Sequence, residues 1–143
     1  MKSLKFGAIF VFVAITQTTF SQDTTKYFKI VKGSVVVNRD ETANIFADYD
    51  IVINDNDFIT VSKYSVKVYR QDKSSFNILT NWKKRLSPNW NDYESEVVDE
   101  DDVRCNLQLI DEYSSTPKNS WELIIRYKTY SLTFQLIRDP SKE

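Results

Sequence analysis

An all-β fold, an antiparallel meander of about eight short strands closed into a small up-and-down barrel, is the architecture this sequence predicts. Three observations point to it. Apolar and polar residues alternate with period two through most of the chain, which gives each segment one core-facing side. Clusters of Asn, Asp and Ser separate the segments and supply turn chemistry. A sheet of this many strands has two edges to protect, and closing it removes them. A two-sheet β-sandwich is the alternative, because glycines and bulges help small barrels turn corners and the chain has only 2 glycines.

The first 21 residues predict an export signal. Lys2 and Lys5 precede an apolar stretch over 6–15, and Thr19 and Ser21 are small enough to be followed by cleavage before Gln22. That stretch is about half of the ~20 residues a membrane-spanning helix needs. Residues 22–143 are then expected to form one all-β domain. No cysteine stands at the cleavage point and the C-terminus is charged, so neither a lipid anchor nor a membrane span is expected in the processed chain. Its location would be periplasmic or extracellular.

Along that domain, short strands are expected over 27–31, 34–38, 50–53, 58–62 and 64–70. Tyr93, Ser95 and Val97 alternate as a further strand. Val103, Cys105, Leu107 and Leu109 share one face, as do Trp121, Leu123, Ile125 and Tyr127, and then Leu132, Phe134 and Leu136. Turns are expected over 38–41, 54–57, 72–75 and 99–102, where Asn and Asp stand in for the missing glycines. Residues 74–86 fit either period: Phe76, Leu79, Trp82 and Leu86 have near-helical spacing, whereas Phe76, Ile78 and Trp82 fit a strand. Strand is favoured because the neighbouring segments alternate. Residues 139–143 are expected to fray.

Composition excludes several chemistries. The chain has no histidine, so it has no Ser-His-Asp or Cys-His nucleophile pair, no histidine zinc site and no imidazole base. Gly33 is the only glycine beyond the leader, and phosphate-cradling loops need several at fixed spacing. The formal net charge of −1 gives no reason to expect a nucleic-acid partner. Cys105 is the single cysteine, so no internal disulfide can form; its position beside Leu107 and Leu109 predicts a buried, inert thiol.

The sequence nevertheless offers candidate sites. Trp82, Lys83, Lys84, Arg85 and Trp90 mix aromatic and basic groups, a combination that grips anionic sugars, head groups or single strands. The competing reading is half-buried tryptophans beside a basic turn that faces acidic residues. Asp99, Asp101 and Asp102 are weak metal candidates, since the acidic run of Glu94, Glu96, Asp99, Glu100, Asp101 and Asp102 lacks the glycine of a calcium loop and makes a good solvated hairpin tip. Ser115 and Lys118 have the spacing of some acyl-enzyme sites, but Pro117 breaks the helix which that chemistry requires.

The leader ending at Ser21 and Gln22, the opening Tyr27, Phe28, Lys29 and Ile30, the acidic turn before Val103, Arg104, Cys105, Asn106 and Leu107, and the closing Trp121 to Tyr127 segment resemble short uncharacterised secreted all-β proteins of Bacteroidetes-type bacteria. The resemblance implies export and an all-β architecture, and brings no functional residues. The expected function is a non-enzymatic binding module without a cofactor, taking a small apolar or sugar-like ligand inside the barrel. The alternative is a surface interaction, inhibitor or accessory protein of the cell envelope. A glycan hydrolase using two carboxylates in one groove comes third.

Overall fold

The computed structural model describes residues 24–40, 45–86, 90–111 and 120–143. The leader and the Ser115 to Lys118 segment lie outside these residues. Ten strands follow one another: β1 Lys26–Asp40, β2 Ile45–Ile51, β3 Phe58–Val61, β4 Ser65–Tyr69, β5 Lys73–Ile78, β6 Lys83–Leu86, β7 Asn91–Val98, β8 Arg104–Asp111, β9 Ser120–Arg126 and β10 Tyr130–Arg138. Eight of them, in the order β1-β3-β4-β5-β7-β8-β9-β10, form an antiparallel sheet that closes where β10 pairs with β1. The two others lie outside the barrel, β2 along the far half of β1 and β6 along the first half of β7.

The expected strands at 27–31 and 34–38 are one strand, β1. Gly33 interrupts the alternation without making a turn: the pairing register with β10 shifts between Ile30 and Lys32, and the strand runs on through the bulge. A bulge bends a strand and increases its twist, and here β1 uses that bend to leave β3 and take up β2 on the same edge. The 38–41 turn falls partly outside the described residues, with β1 extending to Asp40. The strand expected at 50–53 begins earlier, at Ile45, because it follows β1 rather than forming its own hairpin with β3. Similarly, the turn expected at 72–75 is displaced, since Lys73, Ser74 and Ser75 already pair with β4.

Residues 74–86 are strand, in two pieces. β5 meets β7 at only Asn77 and Ile78, opposite Val98 and Val97. The backbone N–H groups of Leu79 and Thr80 then both donate to the Glu96 carbonyl, and the chain steps sideways before β6 resumes along β7. The Ser95 hydroxyl donates to the Thr80 carbonyl at 2.7 Å and the Glu96 N–H to Thr80 Oγ1 at 3.0 Å. These bonds satisfy backbone groups that a strand break would otherwise leave bare.

The turns behave as Asn and Asp chemistry requires. Asp57 Oδ2 accepts from the Asn54 N–H at 2.9 Å. In the β7–β8 turn, Asp99 Oδ1 accepts from the N–H groups of Asp101 and Val103, both at 2.9 Å. Asp102 takes the left-handed backbone angle, φ 60°, that glycine would usually supply. At the C-terminus the chain does not fray. A 3₁₀ turn at Pro140–Lys142 ends with the Glu143 carboxylate held by Arg138 and by the Tyr27 N–H.

Inward side chains from all eight barrel strands meet in one core, including Phe28, Ile59, Val66, Phe76, Val97, Leu107, Leu123 and Phe134. The Phe28 ring packs edge-on against Trp121 at 5.3 Å between centroids. Cys105 belongs to this core, 5 % exposed, and burial pushes its thiol pKa up to about 11, with the Asp99 charge adding to the shift. The barrel interior is therefore occupied by the protein's own side chains. Among the described residues, the larger concave regions lie at the end of the barrel and on its outer face.

Gly33 carries a packing constraint as well as the bend. A Cβ there would meet Phe134 Cδ1 at 3.1 Å and Ile51 Cβ at 3.3 Å. Gly33→Ala is expected to lower stability by about 1 kcal/mol, since crowding of this kind costs ~1–3 kcal/mol against ~0.4–1 gained from a stiffer unfolded chain. A urea midpoint that falls at unchanged slope would register it; an equal or higher midpoint would mean that the Phe134 ring moves aside freely.

Candidate functional site

Two concave regions of different chemistry stand out. The first is at the barrel end where the β4–β5, β7–β8 and β9–β10 turns gather. Val68, Phe76, Ile125, Leu132 and Phe134 form its floor, and Arg70, Gln71, Asp72 and Ser74 its rim, around a cavity of about 290 Å³. The floor is formed by inward residues of β4, β5, β9 and β10, the β5 row turning polar at Ser74 opposite Val68, and Ile51 of β2 lines the same end. Arg70 is fixed at the rim by its Nη2 donating to the Val52 carbonyl at 2.9 Å and by Asp57, whose carboxylate lies 3.7 Å from its Nε. That Nε is buried without a hydrogen-bond partner.

The second region is a polar groove of about 590 Å³ on the outer faces of β6 to β9, with Lys83, Arg85, Glu94, Glu96, Gln108 and Arg126 in its wall. Cross-strand register explains the set: Lys83 stands opposite Glu94, which stands opposite Gln108, and Arg85 stands opposite Asp92. Arg85 bridges Asp92 at 3.0 Å and Glu94 at 2.7 Å. Asp92 is 6 % exposed, and Gln108 also donates to its Oδ2 at 2.8 Å, while its Oδ1 accepts nothing. Glu96 pairs with Arg104 at 3.3 Å. Exposed pairs like this last one contribute little, about 0–1 kcal/mol.

The residues singled out in the sequence are divided by this geometry. Lys83 and Arg85 face the groove. Lys84 points the other way, its Nζ 5.9 Å from the centre of the Tyr93 ring. Trp82 is half-buried against the core, and its indole N–H donates to the Ser62 carbonyl at 3.2 Å. It ties the β6 approach to the β3–β4 hairpin. Trp90 is 41 % exposed and lines neither region. The basic segment thus faces acidic residues across the β6–β7 hairpin, Glu94 at the start of the acidic run together with Asp92.

Asp99 is held by the turn itself. Besides its two backbone donors it accepts the Tyr127 hydroxyl at 2.8 Å, and Tyr127 stacks on Tyr130 at 4.6 Å. The Val103 N–H holds the Asp99 carboxyl below the usual range, with the Tyr127 hydroxyl and the Asp101 N–H adding to the shift. Burial first, and then the bond to Asp99, raise the Tyr127 phenol. Asp101 and Asp102 are exposed. Among the described residues no group of three His, Cys, Asp or Glu side chains is placed to share a metal ion.

The barrel-end residues did not stand out in the sequence. Their alternation marks them as inward-facing, but nothing local distinguishes an inward residue in mid-barrel from one at an open end. No protein-family model matches the chain, and no curated protein or solved structure matches it either.

Two outcomes test these assignments. Trp82→Phe keeps the ring and loses the donor, so it should cost about 0.5–1.5 kcal/mol in chemical unfolding, whatever ligand is present. Asp99 has a folded pKa below its unfolded value of about 3.9, so its contribution is complete above that value and is lost as pH falls through the folded pKa. Melting temperatures measured from pH 6 down to pH 2 should therefore fall more steeply for the wild type than for Asp99→Asn; parallel curves would remove Asp99 as an acid-labile staple.

Proposed function

We propose that the domain is an exported, non-enzymatic binding module that takes a small apolar ligand at the open end of its barrel. The observation that carries this reading is the apolar floor of Val68, Phe76, Ile125, Leu132 and Phe134 beneath a polar rim. Mouths of β-barrels are recurrent ligand sites, and affinity there comes from apolar area removed from water while a few polar groups fix orientation. At about 290 Å³ the site is just below the ~300–1,000 Å³ typical of ligand pockets, which favours a compact molecule over a long chain.

The outer groove supports the surface-interaction reading less strongly, because its charges are largely satisfied within the chain by Arg85 with Asp92 and Glu94. Glu94 and Glu96 do share that groove, as a carboxylate hydrolase would require. Each carboxylate is ion-paired and open to solvent, however, whereas such chemistry needs one acid kept protonated in apolar surroundings.

Titration of the purified protein with small hydrocarbons, aromatic alcohols and medium-chain acids, followed by thermal unfolding, tests the proposal. A true ligand at a hundred times its Kd should stabilise the fold by about 2.7 kcal/mol. Leu132→Trp, which fills the cavity from a half-buried position, should abolish that stabilisation while leaving the β-sheet circular dichroism signal intact. Absence of any stabilising compound, or stabilisation that survives Leu132→Trp, would overturn it.

A further inference from the structure

β2 and β6 are the two strands outside the barrel, and among the described residues each is hydrogen-bonded along one edge only. Their exposed side chains carry opposite charge. On β2, Asp48 and Asp50 are exposed and share the outward face with Val36 and Ser34, the β1 residues opposite them. Neither carboxylate has a partner among the described residues. On β6, Lys83, Lys84 and Arg85 are exposed. Lys83 and Arg85 share the outward face; Arg85 is already shared with Asp92 and Glu94, and Lys83 has no carboxylate partner among the described residues.

Charged residues on a strand edge ordinarily prevent pairing with other chains. Here the protection is selective. Two β2 edges would set carboxylate against carboxylate, and two β6 edges would set cation against cation, both unfavourable across a strand pair. A β2 edge against a β6 edge meets no such penalty. Both strands space their charges two residues apart on one face, so an antiparallel register places Asp50 opposite Lys83 and Asp48 opposite Arg85. Within one chain the two strands pair with different partners, β2 with β1 and β6 with β7, so the complementary edge has to come from another molecule.

We infer that the acidic β2 edge of one copy pairs with the basic β6 edge of a second copy, continuing the sheet from molecule to molecule. The contact is head-to-tail. Each copy offers one edge of each kind, so the assembly grows into rings or linear oligomers rather than stopping at a two-fold dimer. Exclusion of self-pairing edges and attraction of unlike ones is how charge confers specificity at an interface.

Sedimentation velocity of the full protein over a concentration and salt series tests this. Wild type should show species beyond dimer that grow with concentration and dissociate as salt screens the exposed charges. The Asp48→Lys/Asp50→Lys variant and the Lys83→Glu variant, which reverses the one outward-facing β6 cation not already held by Asp92 and Glu94, should each be monomeric. Mixing the two should restore association, because each supplies the edge the other lacks, and that restoration also shows that both are folded. Wild type that is monomeric throughout, oligomers indifferent to salt, or oligomers unchanged by either charge reversal would overturn the inference. A variant that fails to fold leaves the wild-type salt and concentration series to decide.

Discussion

The pairing of β10 with β1 is the contact on which the rest of this structure depends. Without it the eight strands would be an open sheet with two long edges and a face of Phe, Leu, Ile and Val exposed to water. With it, residues from both ends of the domain, Phe28 and Ile30 with Phe134 and Leu136, share one core. The pairing runs from Phe28 opposite Arg138 to Val37 opposite Tyr130, which makes β1 the longest strand and gives it more partners than one straight edge can serve. Its bulge and Gly33 resolve that conflict. The strand bends, β3 occupies the edge before the bend, and β2 the edge after it.

β7 meets the same demand by a different device. It is continuous on the β8 side and divided on the other, where β5 pairs with its end and β6 with its beginning. The seam between β5 and β6 is closed by the Thr80, Ser95 and Glu96 bonds and by Trp82 reaching the Ser62 carbonyl. Trp82 therefore serves the closure of the barrel. An aromatic residue beside three cations resembles a ligand grip in sequence, whereas in three dimensions its ring and its N–H are both used to join two hairpins.

A filled interior moves any ligand outward, and the two concave regions then differ in what they can contribute. At the barrel end, Leu132 and Ile51 remain only half-buried over a floor of buried core side chains, so association there draws on a modest apolar area removed from water. In the outer groove, Arg85 is already neutralised by Asp92 and Glu94, so a ligand gains little by competing for those groups and is left with the exposed Lys83 and Arg126. Displaced strands also have a cost. Placing β2 and β6 outside a closed barrel recreates the edges that closure removed, and the charges on them decide which neighbours they can accept.

Much of this was legible in the residues. Period-two alternation in β8, β9 and β10 identified the faces that become the core, and Asn and Asp clusters located the 54–57 and 99–102 turns, because both signals are local: a side chain two positions on lies on the same face, and an Asx side chain bonds its own backbone. Lys83 and Arg85 could be marked as charged surface for the same reason. What the residues did not specify was register and neighbourhood. The continuity of β1 through Gly33, the division of 74–86 into strands on either side of a seam, the burial of Trp82 and the apolar opening at Leu132 and Phe76 all depend on which strands lie side by side. Alternation says which way a side chain points; only closure of the sheet, a long-range constraint joining β1 to β10, decides what it meets there.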